Sequence, residues 1–258
     1  MKIHISLFLL LTFISFQTFA CKCGTIPLLE EYQSSAFVAT VKIIKVSPDP
    51  LDEDYHDLEV EILEIYKGEP TTKLKLRSAL RTSCSFMTPE NTTWLVFVSK
   101  DNKGFLRFGA CSGSIQIDEQ FDESVYPNSN ENHKKRVALK LEALAYLQRS
   151  SLLSNNKYKI TTTDVYGCLD GIKGFTENER FAIYEIDVNP DLTIKKIKAF
   201  KRFHNKKLTR TLLKCLKNNL SINTYLKKAI PEPTKVFLMF FYYPQNDKNQ
   251  SFISYWDL

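Results

Sequence analysis

Six cysteines carry most of the chemistry that this chain displays: Cys21, Cys23, Cys84, Cys111, Cys168 and Cys215. Two of them stand one residue apart, as Cys21-Lys22-Cys23. Such a pair rarely closes on itself, because the ring is strained, and it lacks the C-x2-C spacing usual among zinc ligands. If all six pair, no thiolate remains as a nucleophile. The histidines that follow are His56, His133 and His204, and none sits in H-E-x-x-H. No G-x-S-x-G, phosphate loop or G-x-G-x-x-G occurs either. His56, beside Asp54 and Asp57, reads as a residue of a solvated loop. The expectation is a chain that is not an enzyme: no catalytic residue, no metal site, no cofactor.

The segment before Cys21 explains why the cysteines should pair. Lys2 supplies a short positive region, Ile5 to Phe16 is nearly all apolar, and Ala20 stands at the cleavage position. Residues 1–20 therefore read as a secretory signal peptide. The apolar run is about 12 residues, and a spanning helix needs about 20. Export leads to an oxidising compartment, where cysteines pair. Six allow about 15 pairings. Pairing within each half assigns Cys168 to Cys215 by elimination, provided their Cα atoms approach within about 7 Å. Cys21 and Cys23 then go to Cys84 and Cys111, in either order. The protein is expected to be secreted or periplasmic. Ala20-Cys21 also suits a lipoprotein signal, so an outer-membrane or surface lipoprotein is the alternative. That reading leaves five thiols, and it is the only one that brings in a membrane.

The rest of the chain must position these residues. It has 258 residues, 43% hydrophobic and 25% charged, the profile of a folded chain large enough for one or two domains. Residues 21–150 sum to −3 and residues 151–258 to +8, a domain signal that recovers the net +6 with Lys2. The first half reads as strands: 37–46, 56–66, 73–77, 94–99 and 105–108. Leu58, Val60 and Ile62 alternate with Glu59, Glu61 and Glu64. Five short strands suit a small barrel. The acidic stretch 49–57 lacks the Gly and terminal Glu of a calcium loop and reads as solvated. Residues 131–149 read as a helix capped by Asn130, and 150–156 as a linker. In the second half, 181–188 and 193–200 form a hairpin, 208–220 a leucine-faced helix, 236–243 a buried strand and 252–256 an edge strand. The predicted domains are 21–120, a helix and linker over 121–157, and a basic α+β domain (β-β-α-β) over 158–258.

The first half resembles the netrin/TIMP-like (tissue inhibitor of metalloproteinases-like) family of bacterial type. The residues that carry this are Cys21-Lys22-Cys23-Gly24, Phe37-Val38-Ala39-Thr40-Val41, Ile65-Tyr66-Lys67-Gly68, Thr82-Ser83-Cys84, Trp94-Leu95-Val96-Phe97 and Gly109-Ala110-Cys111-Ser112. The resemblance implies an OB-fold barrel, an NTR domain, with disulfides Cys21–Cys84 and Cys23–Cys111. In the inhibitory members the N-terminal amine and carbonyl chelate a protease zinc, and the next side chain enters the specificity pocket. Those roles would fall on Cys21 and Lys22. An α-amine with pKa near 8 can deprotonate and ligate at neutral pH. Lys22 departs from the small residue of matrix-protease inhibitors, since burying an unpaired ammonium is costly. Many members bind without inhibiting. The second half is similar to the TonB C-terminal-like module along Tyr184 to Ile194, with Leu192 where that family carries Gly.

One more feature is compositional. Between Asp191 and Glu232 there are 12 Lys or Arg and no acid. Lys195, Lys196, Lys198, Lys201, Arg202, Lys206, Lys207, Arg210, Lys214 and Lys217 are expected on the solvent side of a strand and a helix. They read first as a solvated face and second as a patch for an anionic envelope surface, polysaccharide or acidic partner. The expected function is non-catalytic binding or scaffolding in a bacterial envelope. The expected partner is a protein, an envelope protein or a zinc metalloprotease, with no nucleic acid. The alternative is metalloprotease inhibition through the Cys21 amine and carbonyl.

Overall fold

The computed structural model describes residues 21–150, 152, 157–163, 165–224 and 229–257. The signal peptide read over 1–20 and most of the linker read over 150–156 lie outside the described residues.

The first half builds five strands: β1 (Phe37–Pro48), β2 (Tyr55–Lys67), β3 (Lys73–Arg77), β4 (Thr93–Lys100) and β5 (Leu106–Gly109). They pair in the order β1-β2-β3-β5-β4, and β4 returns to β1, so the sheet closes into a barrel. All pairings are antiparallel except β3 with β5, where Lys75, Leu76 and Arg77 run parallel to Arg107, Phe108 and Gly109. β1 serves both neighbours. Phe37 to Val41 are all buried, and register shifts near Val38, Thr40 and Ile43 let the strand bend around the barrel. The interior is filled by Phe37, Val41, Ile43, Leu58, Leu76, Val96 and Phe108, each worth roughly 1.5–3 kcal/mol when fully buried. Gly68 ends β2 at φ +88°, and a Cβ there would collide with the Ala36 carbonyl oxygen, so the turn admits only glycine.

A short helix, α1 (Leu28–Ser34), packs Leu28, Leu29 and Tyr32 in a cluster with Val38, Leu95 and Phe97 of the barrel strands, and the Tyr32 hydroxyl donates to Tyr66 O at 3.0 Å. A two-residue strand, β6 (Ile115–Gln116), runs beside β4. It was too short to show in the alternation of the sequence. Helix α2 (Ser129–Ser150) begins ahead of the predicted start. Asn130 is not its cap: its side-chain amide instead bridges both backbone groups of Phe121.

The second half carries β7 (Ile160–Thr163), α3 (Tyr166–Leu169), β8 (Phe181–Val188), β9 (Ile194–Lys201), α4 (Lys206–Asn219), β10 (Ser221–Thr224), β11 (Thr234–Tyr243) and β12 (Phe252–Ser254). The simple β-β-α-β order is thus incomplete. β7 pairs with β10, two polar four-residue strands with no hydrophobic alternation to announce them. The main sheet runs β12-β11-β8-β9, entirely antiparallel. Asn205 caps α4, accepting from the backbone N–H groups of Lys207 and Leu208. In the β8–β9 turn, Leu192 takes φ +67°, the left-handed conformation that glycine would enter more cheaply, and packs its side chain on the core.

Seven of the eight residues of β8 are buried, because both faces of this sheet are covered. Ala182, Tyr184 and Ile186, with Leu238 and Phe240, pack under Leu208, Leu212 and Leu216 of α4. On the other face Phe181, Ile183, Met239 and Phe241 meet Leu28 and Tyr32 of α1, Leu95 and Phe97 of the barrel, and Leu139, Ala143, Leu144 and Leu147 of α2. One core cluster therefore joins the two halves of the chain.

Candidate functional site

The parallel pairing of β3 with β5 has a direct consequence for the cysteines. Both strands leave the barrel at the same end, with Arg77 opposite Gly109. Cys84 follows the first and Cys111 the second. The N-terminal segment is fastened there by Cys21–Cys84 (Cα–Cα 4.8 Å) and Cys23–Cys111 (Cα–Cα 5.1 Å). Two bridges to two loops leave little freedom to the residue between them. Lys22 is exposed, Cys23 and Gly24 are exposed, and Cys21 is half-buried. The order of pairing is the one the netrin/TIMP-like resemblance implies. The third bridge, Cys168–Cys215, ties α3 to α4 across a Cα–Cα distance of 5.6 Å. The sulfurs of Cys21, Cys23 and Cys111 gather within 4.8 Å of one another. All three are consumed in disulfides, so this cluster presents none of the thiolates that a metal requires. Three disulfides point to an oxidising, extracellular or periplasmic environment. Among the described residues no helix is long and apolar enough to cross a membrane.

Close to the Cys111 bridge lies a buried ionisable group that the sequence did not reveal. Gly113, two residues past Cys111, adopts φ +67°, and the Glu31 carboxylate occupies the space where a Cβ would stand. Glu31 is 6% exposed. Desolvation pushes its carboxyl up to about 8, against the pull of Lys140 and with the push of Asp257. Lys140 and Asp257 form an ion pair of their own, nine-tenths buried on both sides.

The other predicted residues fall as follows. His56 is not in a solvated loop: it lies on β2, 9% exposed, with Nδ1 2.8 Å from Ser78 Oγ. Ser78 is fully buried and donates to the Asp54 backbone carbonyl, so this trio holds a loop rather than facing a substrate. The acidic stretch is engaged by cations. Asp49 and Asp57 both pair with Lys75, and Glu53 pairs with Arg81. Hydrogen bonding to Lys75 holds the Asp49 carboxyl below its ordinary value.

Most of the basic residues are exposed on β9, α4 and the segment between them: Lys195, Lys196, Lys198, Arg202, Lys206, Lys207, Arg210, Lys214 and Lys217. Lys201 departs from the patch. It pairs with Glu179, donates to Phe181 O at 3.1 Å and sits over the Phe181 ring. Lys198 is also partnered, with Lys235, around the buried Glu185. Burial alone would raise the Glu185 carboxyl, but the two ammonium groups outweigh it and hold it low. β9 is an edge strand of the sheet, and lysines along an edge discourage pairing with another chain.

The sequence reading missed a cleft. About 980 Å³ in volume, it opens between the first half of α2 and the β11–β12 end of the sheet. Ser129, His133 and Arg136 line it, at i, i+4 and i+7 along one helix face. That polar stripe, on a helix otherwise buried by leucines, was the available signal. No family model and no curated protein matches this chain.

Proposed function

We propose that this chain is an exported, non-catalytic binding protein whose first half is a netrin/TIMP-like OB-fold domain. Its N-terminal ridge would dock on a protein partner. The observation that carries this reading is the exposed Lys22, held between two disulfides that anchor it to two loops at one end of a closed barrel. A ridge already immobilised loses little entropy on binding. Apolar side chains close in sequence to the bridged cysteines are solvent-exposed as well, namely Ile26, Leu80 and Met87. The TonB C-terminal-like resemblance of the second half, with its basic face, fits the same role of envelope scaffolding.

The second reading is metalloprotease inhibition. It is favoured by the same exposure of Lys22, which would let the side chain enter an acidic pocket without first breaking a buried contact. The mature chain, beginning at Cys21, separates the two. Mass spectrometry of the exported protein should give an unmodified Cys21 terminus. Incubation with a panel of zinc metalloproteases should then leave their activity unchanged, with or without one extra residue ahead of Cys21. Inhibition that disappears on adding that residue would replace scaffolding by chelation. A lipidated Cys21 would overturn the ridge reading, because its sulfur would carry the lipid and could not bridge to Cys84.

A further inference from the structure

The cleft beside α2 is independent of the ridge. Three buried polar atoms along its helical wall have no hydrogen-bond partner among the described residues: Ser129 Oγ, His133 Nδ1 and Arg136 Nε. His133 itself is 95% buried, being 5% exposed. A buried polar group left unpaired costs about 1–3 kcal/mol, so three along one wall are not a random residue of packing.

Their chemistry is specific. His133 Nε2 lies 2.8 Å from the Gln116 carbonyl oxygen, which only accepts, so Nε2 carries the hydrogen. In the neutral ring, Nδ1 is then a bare acceptor and calls for a donor such as a hydroxyl. Arg136 Nε is a donor only and calls for an acceptor. Ser129 Oγ can do either. At 1.5 Å rise per residue, Ser129 to Arg136 spans about 10 Å along the helix.

Among the lining cations, Lys135 is ion-paired with Glu131 and Arg180 with Glu142, while Arg136 has no carboxylate partner among the described residues. The lining also holds one carboxylate, Glu177. That carboxylate is committed, since it accepts from the backbone N–H groups of Asn178, Glu179 and Asn205. Arg180 is steadied by Lys135 O and Glu142. Aromatic rings complete the walls. Phe121 meets His133 edge-on at 5.4 Å, and Tyr243 stacks on Phe252 at 4.9 Å.

We propose that this cleft binds an acidic saccharide unit, a ligand carrying a carboxylate and several hydroxyls over about 10 Å. The carboxylate would meet Arg136 Nε, with Arg180 as the second cation of the lining. A hydroxyl would donate to His133 Nδ1, and the apolar face of a sugar ring would lie against an aromatic wall. The 980 Å³ volume falls within the range of small-ligand sites, about 300–1,000 Å³.

The test is calorimetric titration of the whole mature protein with a disaccharide of glucuronic acid and N-acetylglucosamine. Its neutral counterpart, diacetylchitobiose, and inorganic phosphate are titrated in parallel. The acidic disaccharide should bind with Kd of about 1 mM or tighter. Arg136→Gln should weaken it by about ten-fold or more, the worth of a charged hydrogen bond. Lys217→Gln, on the exposed basic face, should leave it unchanged. If Arg136→Gln loses the native circular dichroism spectrum, Arg180→Gln takes its place with the same expectation. Absent binding, equal binding of the neutral disaccharide, equal binding of phosphate, or insensitivity to these arginines would each overturn the proposal.

Discussion

Glu31 is the residue whose ionisation should register most clearly in solution. Its carboxyl is pushed up to about 8 in the folded state by desolvation, while in the unfolded chain it has its ordinary value near 4.5. Below that ordinary value both states hold the proton, and the group is neutral toward folding. Between about 4.5 and 8 the unfolded chain releases the proton and the folded chain keeps it, so stability falls as the pH rises through this window. Glu31→Gln keeps the shape and removes the charge. Thermal melts should show the variant equal to the parent at pH 4 and more stable at pH 8.5, by roughly 2–4 kcal/mol. A variant that melts alike, or lower, at pH 8.5 would contradict the raised value. The sequence held no sign of this behaviour. Glu30 and Glu31 stand side by side in the sequence, and the approach of Gly113 and of the Lys140–Asp257 pair surrounds the second of them.

At the scale of elements, α4 is a helix that leucine spacing makes legible, although the reading over 208–220 starts it two residues late and names no cap. Leu208, Leu212 and Leu216 repeat at helical spacing, and Asn205 stands where a cap belongs. Its side-chain oxygen accepts from two backbone N–H groups at 3.0 Å each, and its amide donates to Thr176 O. Asn205→Ala should therefore cost about 1–2 kcal/mol, measured as a lowered urea midpoint with unchanged slope. Asn205→Asp, which keeps the acceptor and adds a favourable charge at the helix start, should cost much less. Equal losses in the two variants would mean that the cap contributes nothing. α2 behaves differently. Leu139, Lys140, Ala143, Leu144 and Leu147 are buried together with Val137, a spread too wide for one stripe. The reason is its position against the sheet on one side and the barrel on the other. Helical spacing was enough to read a helix over 131–149, but a helix covered from two directions buries more than the single stripe that such spacing marks.

For the whole molecule the shared core decides cooperativity. Phe181, Ile183, Met239 and Phe241 of the second half interlock with Leu95, Phe97, Tyr66 and Leu28 of the first, and α2 contributes Leu139 and Leu144 to the same cluster. Neither half could separate without exposing these side chains, each worth about 1.5–3 kcal/mol. Scanning calorimetry should therefore give one transition, with calorimetric and van't Hoff enthalpies equal. Two resolved peaks would show that the halves unfold as independent domains. The difference in charge between them, −3 and +8, marks two compositions but says nothing about whether their apolar faces meet.

The local physics of the chain determined a good deal by itself. Alternating side chains mark β2, a run of apolar residues marks β8 and β11, leucine spacing marks α4, and six cysteines after an export-like leader point to pairing. These are properties of neighbours along the chain, with periods of two or 3.6 residues. The tertiary structure alone decided the rest, because it depends on partners far apart in sequence. The parallel β3–β5 pairing closes the barrel and brings Cys84 and Cys111 to one end. β7 finds β10 some sixty residues away, as Thr163 opposite Ser221. His133 and Arg136 become a cleft wall only where the end of the second sheet faces α2. No periodicity encodes such meetings. They follow from which buried faces fit together once the strands and helices exist, and that is a property of the assembled core.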